Sequence, residues 1–190
     1  MTALKINILE TRQRYKNSVL PWQITSHFFD DCWHFERLLR RVEYYQNCKK
    51  SPVDKLFFQY LRKKLHDEQI RLGFFVHPNT CGPGLALVHP GTVIINQTAK
   101  VGENCRIYNC VVIGIKPGDS VAPKIGNNAY IGPGAKIFGE IEIADGIAIG
   151  ANAVVNKSFS EPNITIAGNP ARKVSDKGSK GMLVRATELI

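Results

Sequence analysis

The 190-residue sequence has no apolar run approaching the ~18 residues of a membrane span, which excludes a transmembrane helix. Its first stretch, MTALKINILETRQRYKN, is interrupted every few positions by a charged or polar group and lacks the apolar centre of a secretory signal, so a cytoplasmic location is expected. Cysteine is sparse: Cys32, Cys48, Cys81, Cys105 and Cys110 are odd in number and form no CxxC pair, which argues against zinc and dithiol redox sites and for reduced thiols that mainly pack. Acidic residues are outnumbered, 16 against 25 basic ones, and the net charge of +9 suits a phosphate-bearing partner: nucleic acid, an acidic membrane surface or a phosphorylated cofactor. Charge does not choose among these. With 44% hydrophobic and 22% charged residues the composition is that of an ordinary globular protein, long enough for one well-buried domain and a modest extension.

What is present changes character near Gly73. Upstream lie long amphipathic segments, downstream short apolar steps punctuated by Gly, Asn and Pro. The expected division is a helical region over 1–73, a repeat domain over 74–175 and a C-terminal tail over 176–190. Phe35, Leu38, Leu39, Val42 and Tyr45 recur at helical spacing, with Arg37, Arg40 and Arg41 partly on the other side, which predicts a helix over roughly 28–47. Ser51 as N-cap, Pro52 at the first turn and Asp54 placed to cap back predict a second helix. It turns Phe57, Phe58, Leu61 and Leu65 inward and ends before Gly73.

Downstream a period of six runs through Ile95, Val101, Ile107 and Ile113, then Ile125, Ile131, Ile137, Ile143, Ile149 and Val155. Four positions after most of these sits a small or aliphatic residue: Ala99, Cys105, Val111, Ala129, Ala135, Ile141, Ile147 and Ala153. A helix cannot have this period, and a β-sandwich wants period two. Two inward positions per six-residue step predict a parallel β-helix, with glycines such as Gly102, Gly114, Gly126, Gly132 and Gly150 at corners and three steps closing each triangular coil. One interruption, Gly114 to Lys124, reads GIKPGDSVAPK and predicts a loop extruded from the coil, either functional or simply a solvated insertion.

The strings IGPGAKIFGEIEIADGIAIGANAVV and ITIAGNPARKV, with HPNTCGPGLALVHPGT before them, resemble the catalytic domain of serine acetyltransferases and their relatives from polysaccharide gene clusters. The likeness covers about 110 residues from Val76 onward. It implies a left-handed β-helix, acetyl-CoA as acetyl donor without a metal, and a homotrimer with active sites between subunits, which the helical region could pair into a hexamer. Acetyl transfer to a hydroxyl needs a base, and His89, one hexad before Ile95 where the repeat would otherwise place an aliphatic, occupies the family's catalytic histidine position. The resemblance further implies that Ile115 and Lys116 approach the pantetheine of acetyl-CoA and that Gly132, Pro133 and Ala151 line its groove. Arg172, Lys173 and Lys177 then either meet its phosphates or form a solvated basic tail. His77 is a histidine the family often has, as a cap or with a role of its own, whereas His27, His34 and His66 fall in the helical region.

The chain departs from that pattern at Val88, Phe75 and Ala122, where serine acetyltransferases keep carboxylates and a second histidine. The acceptor is therefore either L-serine or a sugar hydroxyl. Two other readings stay open. Metal-dependent hydration would need three converging histidines, and only His77 and His89 lie on the repeat. A scaffold reading has Trp22, Phe28, Phe29, Trp33, Arg37, Arg40 and Arg41 dock a partner or an acidic membrane, while nucleic-acid binding has no support beyond charge, and neither partner is expected.

Overall fold

The structure is a computed structural model that describes residues 30–189. Two antiparallel-packed helices precede a long stack of very short strands. Helix α1, Asp31–Cys48, starts after Asp30, whose carboxylate accepts the Trp33 N–H at 2.9 Å. The helix therefore begins three residues later than the periodicity predicts; Trp22, His27, Phe28 and Phe29 lie outside the described residues. Helix α2, Pro52–Leu72, is capped by Ser51, whose Oγ accepts the Asp54 N–H and donates to the Asp54 carboxylate, and it stops at Gly73 in the left-handed conformation (φ 76°). Phe35, Leu39 and Val42 of α1 and Leu61, Leu65 and Leu72 of α2 are buried. Two expectations are corrected here. Phe57 is 39% exposed, resting against the Tyr45 ring instead of entering the core. Arg40 is buried, not on the outer side: its guanidinium pairs with Glu43 and donates to the Cys81 and Gly82 carbonyls. Trp33 is buried as well, beneath the Arg37 guanidinium.

Strands follow in rotation round three sheets. Sheet 1 contains β1 (Phe74–Val76), β3 (Val93–Ile95), β6 (Val111–Gly114), β9 (Lys136–Phe138) and β12 (Val154–Val155), neighbours in that order. Sheet 2 contains β4 (Lys100–Val101), β7 (Lys124–Ile125) and β10 (Glu142–Ile143). Sheet 3 contains β2 (Ala86–Leu87), β5 (Arg106–Ile107), β8 (Tyr130–Ile131), β11 (Ala148–Ile149) and β13 (Thr165–Ala167), with β14 (Arg172–Ser175) added antiparallel at its end. All other pairings are parallel. The chain thus winds from sheet 1 to sheet 2 to sheet 3 and back, each turn stacking on the last at about 4.8 Å.

The hexad residues fill the interior in register: Ile95, Ile113, Ile137 and Val155 stack beneath sheet 1, and Leu87, Ile107, Ile131, Ile149 and Ile166 beneath sheet 3. All are buried, as are the small intervening residues Ala99, Cys105, Ala129, Ala135 and Ala153. Each fully buried Ile or Val contributes about 1.5–3 kcal/mol, so stability accumulates turn by turn. Helix α1 closes the first turn: Glu36, 1% exposed, accepts the Leu87 N–H at 2.7 Å, and Glu43 accepts the Asn79 N–H at 2.9 Å. These carboxylates satisfy edge donors that would otherwise have no strand to meet.

The C-terminal segment does not trail into solvent. Ser179 donates to the Asn128 carbonyl, Thr187 exchanges hydrogen bonds with Asn104, and Ala186 is fully buried, so it folds back along the corner between sheets 2 and 3.

Candidate active site

The corner between sheets 3 and 1 carries most of the residues singled out in the sequence. Register stacks Leu87, Ile107, Ile131, Ile149 and Ile166, so the residues two places after the first four, His89, Asn109, Pro133 and Ala151, occupy this corner in successive turns, with Gly168 and Asn169 in the next. From His89 to that fifth turn the column is about 19 Å long at the strand spacing. Among the described residues no group of three or more His, Cys, Asp or Glu is arranged to hold a metal ion.

The register of His89 differs from expectation. Leu87, not His89, is the inward residue of that turn, and the chain spends additional residues on the turn at Pro90 and Gly91 (φ 134°) before re-entering sheet 1. The imidazole is consequently exposed, with its ring 6.0 Å from that of Tyr108 in an edge-to-face arrangement. An aliphatic takes the interior because a buried imidazole would need a partner there, whereas a corner leaves it open to a substrate proton.

Gly132 follows Ile131 directly, and a Cβ there would stand 2.8 Å from both the Ala151 nitrogen and the Ile149 carbonyl, so only glycine lets adjoining turns approach this closely. Ala151 and Pro133 are exposed. Among the hydrogen bonds of the described residues the Ala151 N–H has no acceptor, leaving a backbone donor on the groove. Gly114 behaves differently from the other predicted corner glycines: it lies within β6 and a Cβ would find only ordinary contact with Phe138 at 3.7 Å.

Arg172 begins β14 just beyond the Gly168–Ala171 turn and is exposed, with no ion pair among the described residues. Lys173 is otherwise engaged. Its ammonium lies 2.6 Å from both Asp176 and Glu161, which hold its pKa above the usual lysine range. Lys177 is exposed.

Ile115 and Lys116 are not at this corner. They leave β6 toward sheet 2, at the opposite edge of sheet 1 from His89, in a loop pinned by Asp119, which accepts the Glu140 N–H, and by the Ala122 N–H, which donates to Thr98. Ile115 is 45% exposed and Ala122 is buried. Cys110, at the His89 corner, is likewise at the far end of β6 from the loop; it is exposed and takes φ 61°. His77 lies in the same first turn as His89 but at the opposite edge of sheet 1, just after β1, lining a cavity of about 430 Å³ with His66 and Gln69 between the helices and that turn.

Three residues beside His89 escaped the sequence reading. Arg106, Tyr108 and Tyr130 project outward from sheet 3 and its corner, Tyr108 lying 5.4 Å from the Tyr130 ring and the Arg106 guanidinium 5.9 Å from that of Tyr108. Burial, then the Tyr108 hydroxyl, push Tyr130 above its ordinary value. The only available signal was bulk at outward positions flanking Ile107 and Ile131, which a search for inward periodicity passes over.

No protein-family model matches the chain. It is similar to the serine acetyltransferase of Synechococcus elongatus, 34% identical over 141 residues, 73% of this chain and 55% of that protein. In structure it is similar to a Brucella melitensis serine O-acetyltransferase described as a bacterial transferase hexapeptide repeat (30% identity, TM-score 0.70, covering 93% of this chain and 67% of that one). It is also similar to Brucella abortus serine acetyltransferase in complex with coenzyme A (28% identity, TM-score 0.73, 93% and 68%). The chain spans about half the length of the curated relatives it matches.

Proposed function

Because the chain belongs to the serine acetyltransferase-like family of hexapeptide-repeat acyltransferases, we propose that it is an acetyl-CoA-dependent O-acetyltransferase acting on a hydroxyl of a small acceptor. The observation that carries this reading is the alignment along one corner of exposed His89, the close approach at Gly132, the open Ala151 N–H and exposed Arg172. A column of about 19 Å suits an extended pantetheine arm, thioester toward His89 and phosphates toward Arg172. His89 takes the hydroxyl proton as the acceptor oxygen attacks the thioester carbonyl. The carbon–sulfur bond then breaks, and the imidazolium returns the proton to the departing CoA thiolate. No metal enters this scheme. Coenzyme A bound to the Brucella abortus relative supports acetyl-CoA as donor.

The reading includes the family's left-handed β-helix, a cytoplasmic location and a homotrimer with sites between subunits. In the trimer the Ile115–Lys116 loop of one protomer covers the His89 corner of its neighbour, which accounts for an exposed aliphatic on a pinned loop. Exposed Val53, Leu56 and Tyr60 on α2 suit a pairing of trimers into a hexamer.

L-serine is the acceptor the family name suggests. A sugar hydroxyl is favoured by a specific observation: Phe75 is 44% exposed and Val88 flanks the base where serine recognition would call for charge. The test is CoA release from acetyl-CoA with L-serine or with sugars, in the native chain and in His89→Ala. Loss of turnover in the variant is expected; an unchanged rate would sink the proposed base.

A further inference from the structure

The face of sheet 3 beside His89 has a composition the acetyl-CoA column does not explain. Its outward positions in register are Ala86, Arg106, Tyr130 and Ala148; the two alanines are buried, and the two large side chains between them are half-buried. Tyr108 joins this pair to the His89 ring. Arg106 is under-compensated: its Nε is buried with no hydrogen-bond partner, its Nη1 reaches the Met182 carbonyl only at 3.4 Å, and among the described residues no carboxylate pairs with it. A guanidinium left without a counter-charge disfavours an ammonium group nearby and favours a planar anion, which it can hold through two parallel N–H donors. The tyrosines add apolar ring faces carrying hydroxyls, and burial together with its neighbour Tyr108 raises Tyr130 above its ordinary value.

We propose that Arg106, Tyr108 and Tyr130 form the acceptor-binding face, and that it selects an anionic sugar, a ring bearing the nucleophilic hydroxyl together with a phosphate or carboxylate, over free L-serine. The proposal rests on His89 being the base. Arg106 holds the anion, the tyrosine rings lie against the sugar, and Val88 and Tyr108 beside the imidazole supply no carboxylate to pair with the ammonium of an amino acid.

The experiment measures CoA release with five acceptors: a uridine-diphosphate hexose, a hexose phosphate, a hexuronic acid, the neutral hexose and L-serine. One or more anionic sugars should exceed both the neutral hexose and L-serine in kcat/KM by about tenfold or more, the ratio of phosphate to uronate naming the anion. Arg106→Gln should raise KM for the anionic sugar by about 10–100-fold while the KM for acetyl-CoA stays constant, with Arg106→Lys recovering part of the loss. Thermal melting of each variant and calorimetric titration of the same sugars into the CoA-loaded native protein separate misfolding from lost recognition. Preference for L-serine, an Arg106→Gln effect equal on neutral and anionic acceptors, or neither turnover nor binding of any anionic sugar overturns the proposal. Failure of the underlying reading looks different: His89→Ala would then retain turnover while the anionic preference persisted.

Discussion

An exposed imidazole whose ring pairs, among the described residues, with that of Tyr108 can be altered without disturbing the fold, so His89 is a clean site for mutation. His89→Gln should lower kcat by about 10²–10⁴-fold with the melting temperature unchanged, because general-base catalysis is lost and no packing is. The cysteines report on the same corner by a route independent of turnover. Burial pushes Cys105 up to about 12 and Cys81 up to about 11, so neither forms thiolate near neutrality, and Cys32 is buried too. Cys48 and Cys110 are exposed. At pH 8 a thiol reagent should therefore modify two of the five cysteines in the folded protein. Acetyl-CoA should slow the reaction at Cys110, which lies on the proposed groove, and leave that at Cys48 unaltered; equal rates with and without the ligand would remove acetyl-CoA from this corner. The residue scale is also where the sequence was least legible. Inward aliphatics announce themselves by period, but His89 falls on the hexad count without lying inward because Pro90–Gly91 lengthens one corner, and Arg106, Tyr108 and Tyr130 obey no period at all.

At the scale of elements the reverse holds, since hexads at Ile95 through Val155 pointed to every stacked strand they belong to, and Ser51-Pro52-Asp54 marked the start of α2. The physical reason is that stacking turns impose one environment repeatedly, so the same choice recurs until chance is excluded. Corner glycines show where that logic loses resolution. Gly126 and Gly114 look alike in sequence, yet a Cβ on Gly126 would stand 2.7 Å from the Asp145 nitrogen of the adjoining turn, and one on Gly114 would meet nothing closer than 3.7 Å. Gly126→Ala should therefore cost about 1–3 kcal/mol, read from chemical denaturation, because backbone of the next turn must move. Gly114→Ala should stay within about 0.5 kcal/mol of the native chain. Equal losses at both positions would contradict the stacking geometry. Arg40 makes a parallel case at the helix–coil junction, where its sequence neighbourhood reads as an outer face but the carbonyls of Cys81 and Gly82 claim the guanidinium.

For the whole molecule, the three faces differ in a way that bears on assembly. Sheet 2 presents Lys100, Lys124 and Glu142, a charged surface suited to water, whereas the first three strands of sheet 1 present Phe75, Ile94 and Val112 in register, the first two 44% and 39% exposed, before Lys136 on the fourth. The two groups of residues proposed for the site sit at opposite edges of that face, His89 at one and the Ile115–Lys116 loop at the other. A single protomer cannot bring them together. A closed ring of three can, since a head-to-tail contact sets one edge of each copy against the other edge of the next. Light scattering should accordingly give three protomers per particle or a multiple of three, and Ile94→Glu should lower that number. The decisive measurement is complementation. His89→Ala lacks the base, and Lys116→Ala should raise KM for acetyl-CoA, so each alone is impaired. When the two are unfolded, mixed in equal amounts and refolded, a shared site regains both residues whenever a Lys116→Ala copy supplies its histidine opposite a His89→Ala copy that supplies its lysine. Random assembly of a ring makes about one quarter of the sites whole, so turnover with native KM at about a quarter of native kcat is expected. If both residues instead served one protomer's site, mixing would restore nothing.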